Sequence, residues 1–254
     1  MVLKTKKHQP NDLSILVLRD GFSFCTQKKS CFYPIEDSNN IDPKAISGFL
    51  DQEELVSETV SLIHLDGLSS IVPLELFEEE NAAFYLSKGL TLASNQQVVF
   101  DVLESYKQVV VYPRDVKKWN VLKELFPSLE TKHATTAILA PLTDLSLGTP
   151  KKQLFVHLRA GAFELFLFQG AQLLFFNSFE QQHVDEFLYY LFYITEQFYL
   201  KPESFKLAFL GAYDHYKEYY EGVQEYHSDV IFLNAPSENR QTKHPVPFLE
   251  NKIV

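Results

Sequence analysis

Two residues in the second half of the chain have the types and spacing that anion chemistry uses. His157 and Arg159 sit two positions apart in the run Leu154 to Arg159. Alternate residues on a strand face the same way, so the pair points to one side. An arginine there suits an anion such as phosphate; the same two residues also suit the lining of a polar cleft or a sheet edge. His183-x-Asp185-Glu186 collects three metal-ligand types near a helix start, but acids in a first turn also complement the helix dipole, and that reading is preferred. Asp20-Gly21 is a hairpin signal. A Gly-x-Ser-x-Gly elbow, a Walker-type loop, Cys-x-x-Cys and a helical His-x-x-x-His pair are all absent from the sequence. No metal site and no catalytic set emerges.

The elements that must position these residues read clearly in places. Leu13 to Leu18 alternates, Phe22 to Thr26 continues after Asp20-Gly21, and Cys31 to Ile35 follows a second turn, which makes a meander. Asp42-Pro43 reads as a helix cap opening a short helix to Leu55. Strands are expected at Glu58 to Leu65 and Ser69 to Pro73, then a helix from Leu76 to Lys88 with Glu78, Glu79 and Glu80 in its first turn. Gln97 to Leu103 and Gln108 to Tyr112 are strands, and the run Val109-Val110-Val111 suits one buried on both faces. Pro113 and Arg114 are expected to open a helix carrying Val116, Trp119, Leu122 and Leu125. A short strand then leads to a helix from Thr135 towards Leu145.

Turn formers and charge around Gly148 to Lys152 mark the internal boundary, giving lobes 1–148 and 149–254. The second half repeats the theme. Leu154 to Arg159, Phe163 to Gln169 and Gln172 to Phe179 form a meander, followed by a helix from His183 to Tyr199, a strand from Lys206, a helix from Tyr213 and a last strand at Val230 to Leu233. In the long helix, Val184, Phe187, Leu188, Leu191, Thr195 and Phe198 make the stripe that faces the sheet. Tyr189, Tyr190 and Tyr193 fall on the other side among acids, either packed under the tail from Asn234 or forming a patch for another protein.

Composition narrows the function classes. Hydrophobic residues at 46% and charged residues at 22% describe an ordinary globular chain. A net charge of −10 disfavours a nucleic-acid partner, whose phosphates need Lys and Arg; the one basic cluster, Lys4, Lys6, Lys7 and His8, reads as a solubilising terminus. No apolar run is long enough to insert in a membrane, and the start lacks a signal-peptide pattern. A cytoplasmic protein with Cys25 and Cys31 as free thiols is the expectation.

Two lobes, each opening with a three-stranded meander and continuing in βαβ style, resemble the actin-like ATPase superfamily with its ribonuclease H-like core. The run Val109 to Asp115, the helix after it, Phe126-Pro127 and the helix at Thr135 are similar to pilus-assembly actin-like proteins of the PilM type. Leu13 to Phe24, Ser70 to Phe77 and Asn177 to Tyr190 look like a bacterial family of this fold that has no established activity. The resemblance implies a mixed α/β fold. In active members of the superfamily, nucleotide lies between the lobes and an Asp-x-Gly hairpin in each holds metal and phosphate. In Val156 to Phe163, His157 stands at the acid and Arg159 at the first glycine, with Gly161 in the turn; in the first lobe Leu16 and Leu18 take those positions. The adenosine-side motif is reduced to Leu210-Gly211-Ala212-Tyr213. These departures point to a catalytically degenerate, protein-binding scaffold without a cofactor. The alternative is a regulatory protein that holds ATP with Mg²⁺, or GTP, through His157, Arg159, Gly161 and Gly211.

Overall fold

The computed structural model describes residues 13–26, 29–37, 40–55, 57, 60–86, 91–159, 161–210 and 213–233. By their contacts they form two compact units, drawn from 1–102 with 109–134 and from 103–108 with 135–254.

In the first unit, β1 (Leu13–Leu18), β2 (Gly21–Cys25) and β3 (Ser30–Pro34) form the expected antiparallel meander. Strand β4 (Val60–His64) runs parallel to β1, and β8 (Glu130–His133) parallel to β4, giving the order β3-β2-β1-β4-β8. Gly21 is required where it stands, because a Cβ would meet the Tyr33 carbonyl and the Phe32 ring. Helix α1 (Pro43–Gln52) starts as its cap predicts: the Asp42 carboxylate accepts from Lys44 N at 2.9 Å. Its Ile46 and Leu50 bury against Leu13, Ile15, Val17, Phe22 and Phe24. A smaller sheet of order β5-β7-β6 is made by β5 (Ser70–Pro73), β6 (Gln96–Leu103) and β7 (Gln108–Asp115). Val109, Val110 and Val111 in it are fully buried.

Two expectations need correction here. The segment read as one helix from Leu76 to Lys88 is two single 3₁₀ turns, Leu74–Leu76 and Glu79–Asn81, before a short α2 (Ala82–Leu86); Lys88 lies outside the described residues. The three acids crowd a turn with too few apolar positions around it to drive a longer helix. Pro113 and Arg114 belong to β7, and α3 (Val116–Leu125) begins after them. The Asp115 side chain caps it by accepting from Lys117 N and Lys118 N at 2.9 and 3.0 Å. An aspartate cap outcompetes the proline start because it satisfies two orphan amides.

In the second unit, α4 (Ala134–Ser146) comes first. It was read from sequence as the end of the first lobe, yet nearly all of it groups by contact with the second unit. Strands β9 (Lys152–Arg159), β10 (Ala162–Gln169) and β11 (Gln172–Glu180) form the second meander; β12 (Phe205–Leu210) and β13 (Val230–Phe232) complete the order β11-β10-β9-β12-β13. Helices α5 (Val184–Gln197) and α6 (Tyr213–Gln224) cover one face. There Phe187, Leu191 and Ile194 pack on Leu154, Val156, Leu158, Phe163, Leu165 and Leu167. That face is apolar throughout, so the sheet's polar residues must emerge on the other.

Candidate functional site

His157 and Arg159 do emerge together on the face opposite the helices, and each meets a residue the sequence reading passed over. Glu164 on β10 lies directly across from His157 in the strand register. His157 Nδ1 is 2.7 Å from Glu164 Oε2, and Arg159 Nε donates to Glu164 Oε1 at 2.6 Å. Glu164 and His157 are both buried. Burial opposes the charge on Glu164, but the Arg159 guanidinium and the His157 hydrogen bond outweigh it and hold the carboxyl at about 2. An ionised carboxylate only accepts, so His157 Nδ1 carries the proton facing it. His157 Nε2 and Arg159 Nη2 are left buried without a hydrogen-bond partner. When the ring is neutral, Nε2 is then an acceptor, and it can serve an anion only as an imidazolium.

The remaining nominated positions are dispersed in role. Gly161 holds the β9–β10 turn at φ 71°, a left-handed conformation that favours glycine, and its carbonyl accepts from Gln181 N at 3.0 Å. Gly211 lies outside the described residues, as do the basic cluster Lys4 to His8 and the tail from Asn234. Leu16 is fully buried. His183 is the residue before α5, and the nearby Glu186 Oε2 accepts from Gln182 N at 2.7 Å, a helix-start role. Among the described residues no group of three or more His, Cys, Asp and Glu is arranged to hold a metal ion. Cys25 and Cys31 are not joined in a disulfide.

On α5 the three tyrosines separate. Tyr189 and Tyr193 are 64% and 47% exposed and stack on each other with centroids 6.3 Å apart. Tyr190, expected beside them, is half-buried and stacks on Phe179 of β11 at 4.9 Å. It stands three positions after Phe187 and four before Ile194, so it borders the apolar stripe.

The first unit holds a second buried polar cluster that the sequence reading missed. Lys118 Nζ donates to the Leu18 and Arg19 carbonyls at 2.7 and 3.1 Å and lies 3.7 Å from Asp66 Oδ2. Asp66 follows β4; His64, at the end of that strand, has Nε2 3.1 Å from Thr131 Oγ1. His64 Nδ1 and Asp66 Oδ1 lie 4.0 Å apart, and neither has a hydrogen-bond partner. Burial pushes the Asp66 carboxyl up to about 6, and burial with the charges of His133, Arg114 and Lys118 pushes His64 down to about 3. Lys118 thus serves as a built-in cation on the carbonyls that close the β1–β2 turn. For the first cluster described, the available signal is a lone charged residue amid apolar neighbours, Glu164 in Ala-Phe-Glu-Leu-Phe; Lys118 stands beside Lys117 and close to Arg114 and Asp115, so nothing local marks it.

Two five-stranded sheets with matching meanders and parallel extensions define an actin-like ATPase fold. A Bacteroides thetaiotaomicron protein of that fold and of unknown function has a similar structure, with a TM-score of 0.73 at 21% identity over 92% of this chain and 95% of that one. PilM in the PilM–PilN type IV pilus biogenesis complex is similar with a TM-score of 0.57 at 12% identity, covering 88% of each chain. No curated protein sequence matches the chain. The profile of a family of proteins of unknown function, DUF3822, matches residues 2–230, and the chain belongs to that family.

Proposed function

We propose that this chain is a protein-binding module on an actin-like scaffold, without rapid nucleotide hydrolysis. The observation that supports this best is the Glu164 carboxylate, which engages both residues that stand in for a phosphate loop. Its charge offsets that of Arg159, so the strand face offers an incoming phosphate little net attraction. A fully buried Leu16 at the other acid position supports the same reading, since a leucine cannot anchor hydrated magnesium. The exposed Tyr189 and Tyr193 give the partner a surface of large contact area and few torsions. The similar PilM structure is that of a complex with PilN. A cytoplasmic setting belongs to this reading, and two cysteines not joined in a disulfide agree with it. Among the described residues no helix is long and apolar enough to cross a membrane.

A second reading, slow nucleotide binding for regulation, draws on the unpartnered Arg159 Nη2 and His157 Nε2. Titration calorimetry with ATP, ADP and GTP, with and without Mg²⁺, separates the two. The scaffold reading expects no micromolar binding. Micromolar affinity that disappears in His157→Ala and Arg159→Ala would replace it with the second.

A further inference from the structure

Four aromatic rings make one surface on the helices of the second unit. Tyr189, Phe192 and Tyr193 are spaced three and four apart on α5, so they share a face. Tyr189 and Tyr193 stack on each other, and Tyr226, just past the end of α6, packs on Phe192 with centroids 5.2 Å apart. All three tyrosines are exposed, and exposed aromatic groups gathered in one patch mark an interaction site.

The rim of this surface is acidic. Asp185 stands one turn before Tyr189, Glu196 one turn after Phe192, and Glu225 next to Tyr226; all three are exposed. Helix α5 has no basic residue, and the single lysine of α6, Lys217, pairs with Glu221 at 3.3 Å. An occupant must therefore be apolar where it meets the rings and basic at its ends.

One segment of this chain has that chemistry. Beyond β13, and outside the described residues, Pro245, Val246, Pro247, Phe248 and Leu249 form an apolar run. Arg240 and Lys243 precede it and Lys252 follows, against one acid, Glu250. Two prolines two positions apart bias the run to polyproline II, the form that aromatic-lined surfaces bind because little conformational freedom is lost. The reach is sufficient. Helix α6 packs on both α5 and β13. The stretch from Leu233 to Pro245 extends to about 40 Å, against about 21 Å for the whole of α5.

We propose that the run Pro245 to Leu249 docks on the surface of Tyr189, Phe192, Tyr193 and Tyr226, with its flanking bases against the acidic rim. Being tethered, the segment meets that surface at an effective concentration of about 1 mM, so a contact too weak to join separate molecules still keeps it in place. A second copy or a foreign chain lacks that advantage. The proposal deepens the protein-binding reading and rests on it: the partner is a protein with a basic, proline-containing segment that must displace the chain's own.

Phe248→Trp in the full chain puts a reporter in the segment, and acrylamide quenching of tryptophan fluorescence reads its shielding over the constant background of Trp119. Docking makes quenching about threefold slower than in the same chain carrying Tyr189→Ser and Tyr193→Ser. Both tyrosines are exposed, so serine there leaves the fold intact, and an unchanged melting temperature checks it. Lys243→Glu, which sets a like charge against the rim, speeds quenching about twofold. Hundredfold dilution leaves the shielding as it was, because the contact lies within one molecule. Quenching equally fast with and without the two tyrosines overturns the proposal. Shielding that fades on dilution overturns it as well, because the segment then docks on a second copy. Neither result touches the scaffold reading, which nucleotide binding alone would displace.

Discussion

The two buried polar clusters occupy sheets of the same topology, yet they resolve their charges differently. In the second unit Glu164 is held by two short bonds, to His157 and Arg159, from the neighbouring strand. In the first, Lys118 spends its best bonds on the Leu18 and Arg19 carbonyls and leaves Asp66 at 3.7 Å, with two buried atoms unsatisfied nearby. A charge pair locked across a ladder needs both members. A cluster joined through backbone carbonyls tolerates a looser partner, and its carboxyl sits near neutrality. The lesson is that burying charge in this fold depends on strand register in one unit and on a helix side chain reaching in from α3 in the other.

Removing Glu164 should have the largest effect. Glu164→Ala leaves the Arg159 charge without its counter-ion and His157 without its acceptor, costing about 3–5 kcal/mol. Urea unfolding followed by far-ultraviolet circular dichroism measures it, and a loss below about 1 kcal/mol would break the contrast between the clusters. Lys118→Met should cost less, about 2–3 kcal/mol, because two carbonyls and one distant carboxylate lose a donor. Trp119, the only tryptophan, neighbours Lys118 in sequence and lies 6.5 Å from the His64 ring, so its fluorescence reports the first unit.

Acid separates the clusters further. Glu164 is lowered from 4.5 to about 2, so its stabilising effect is complete above pH 4.5 and is lost as pH falls towards 2. Hydrogen exchange at the amides of β9 and β10 should therefore accelerate only below pH 4.5. In the first unit the signs oppose. Asp66 is raised from 3.8 to about 6, so the cost of its charge is full above pH 6 and is relieved as pH falls towards 3.8. His64 is lowered from 6.5 to about 3, so stability is lost as pH falls from 6.5 towards 3. Wild-type stability by Trp119 fluorescence should change little across the shared window. Asp66→Asn, the smallest effect predicted, should uncover the His64 slope as a steady decline below pH 6.5. An unchanged profile would show that the two groups do not titrate as their surroundings imply.

Both meanders were legible because alternation and turn residues are local. Leu13 to Leu18 with Asp20-Gly21, and the repeated apolar runs after Lys152, needed no distant partner to be read. The acidic stretch Glu78 to Glu80 was misread because its helix signal was local while the packing that would lengthen a helix was missing. The strand continuing through Pro113 was hidden for the opposite reason: β7 lies in a sheet whose pairing overrides a proline's preference for starting a helix. His157 and Arg159 stand out by type, and strand alternation puts them on one face. Glu164 escaped because its meaning comes from the register that sets it across from His157. Asp66 and Lys118 are far apart in sequence and are joined only by folding.

The sequence by itself determined the two meanders and the apolar faces of α1 and α5, since these are written in neighbouring residues. Only the tertiary structure decided what the buried charges do. Whether His157 and Arg159 await an anion or already hold a carboxylate depends on which strand lies alongside and in what register, and burial then fixes the charge state of the partners it brings together.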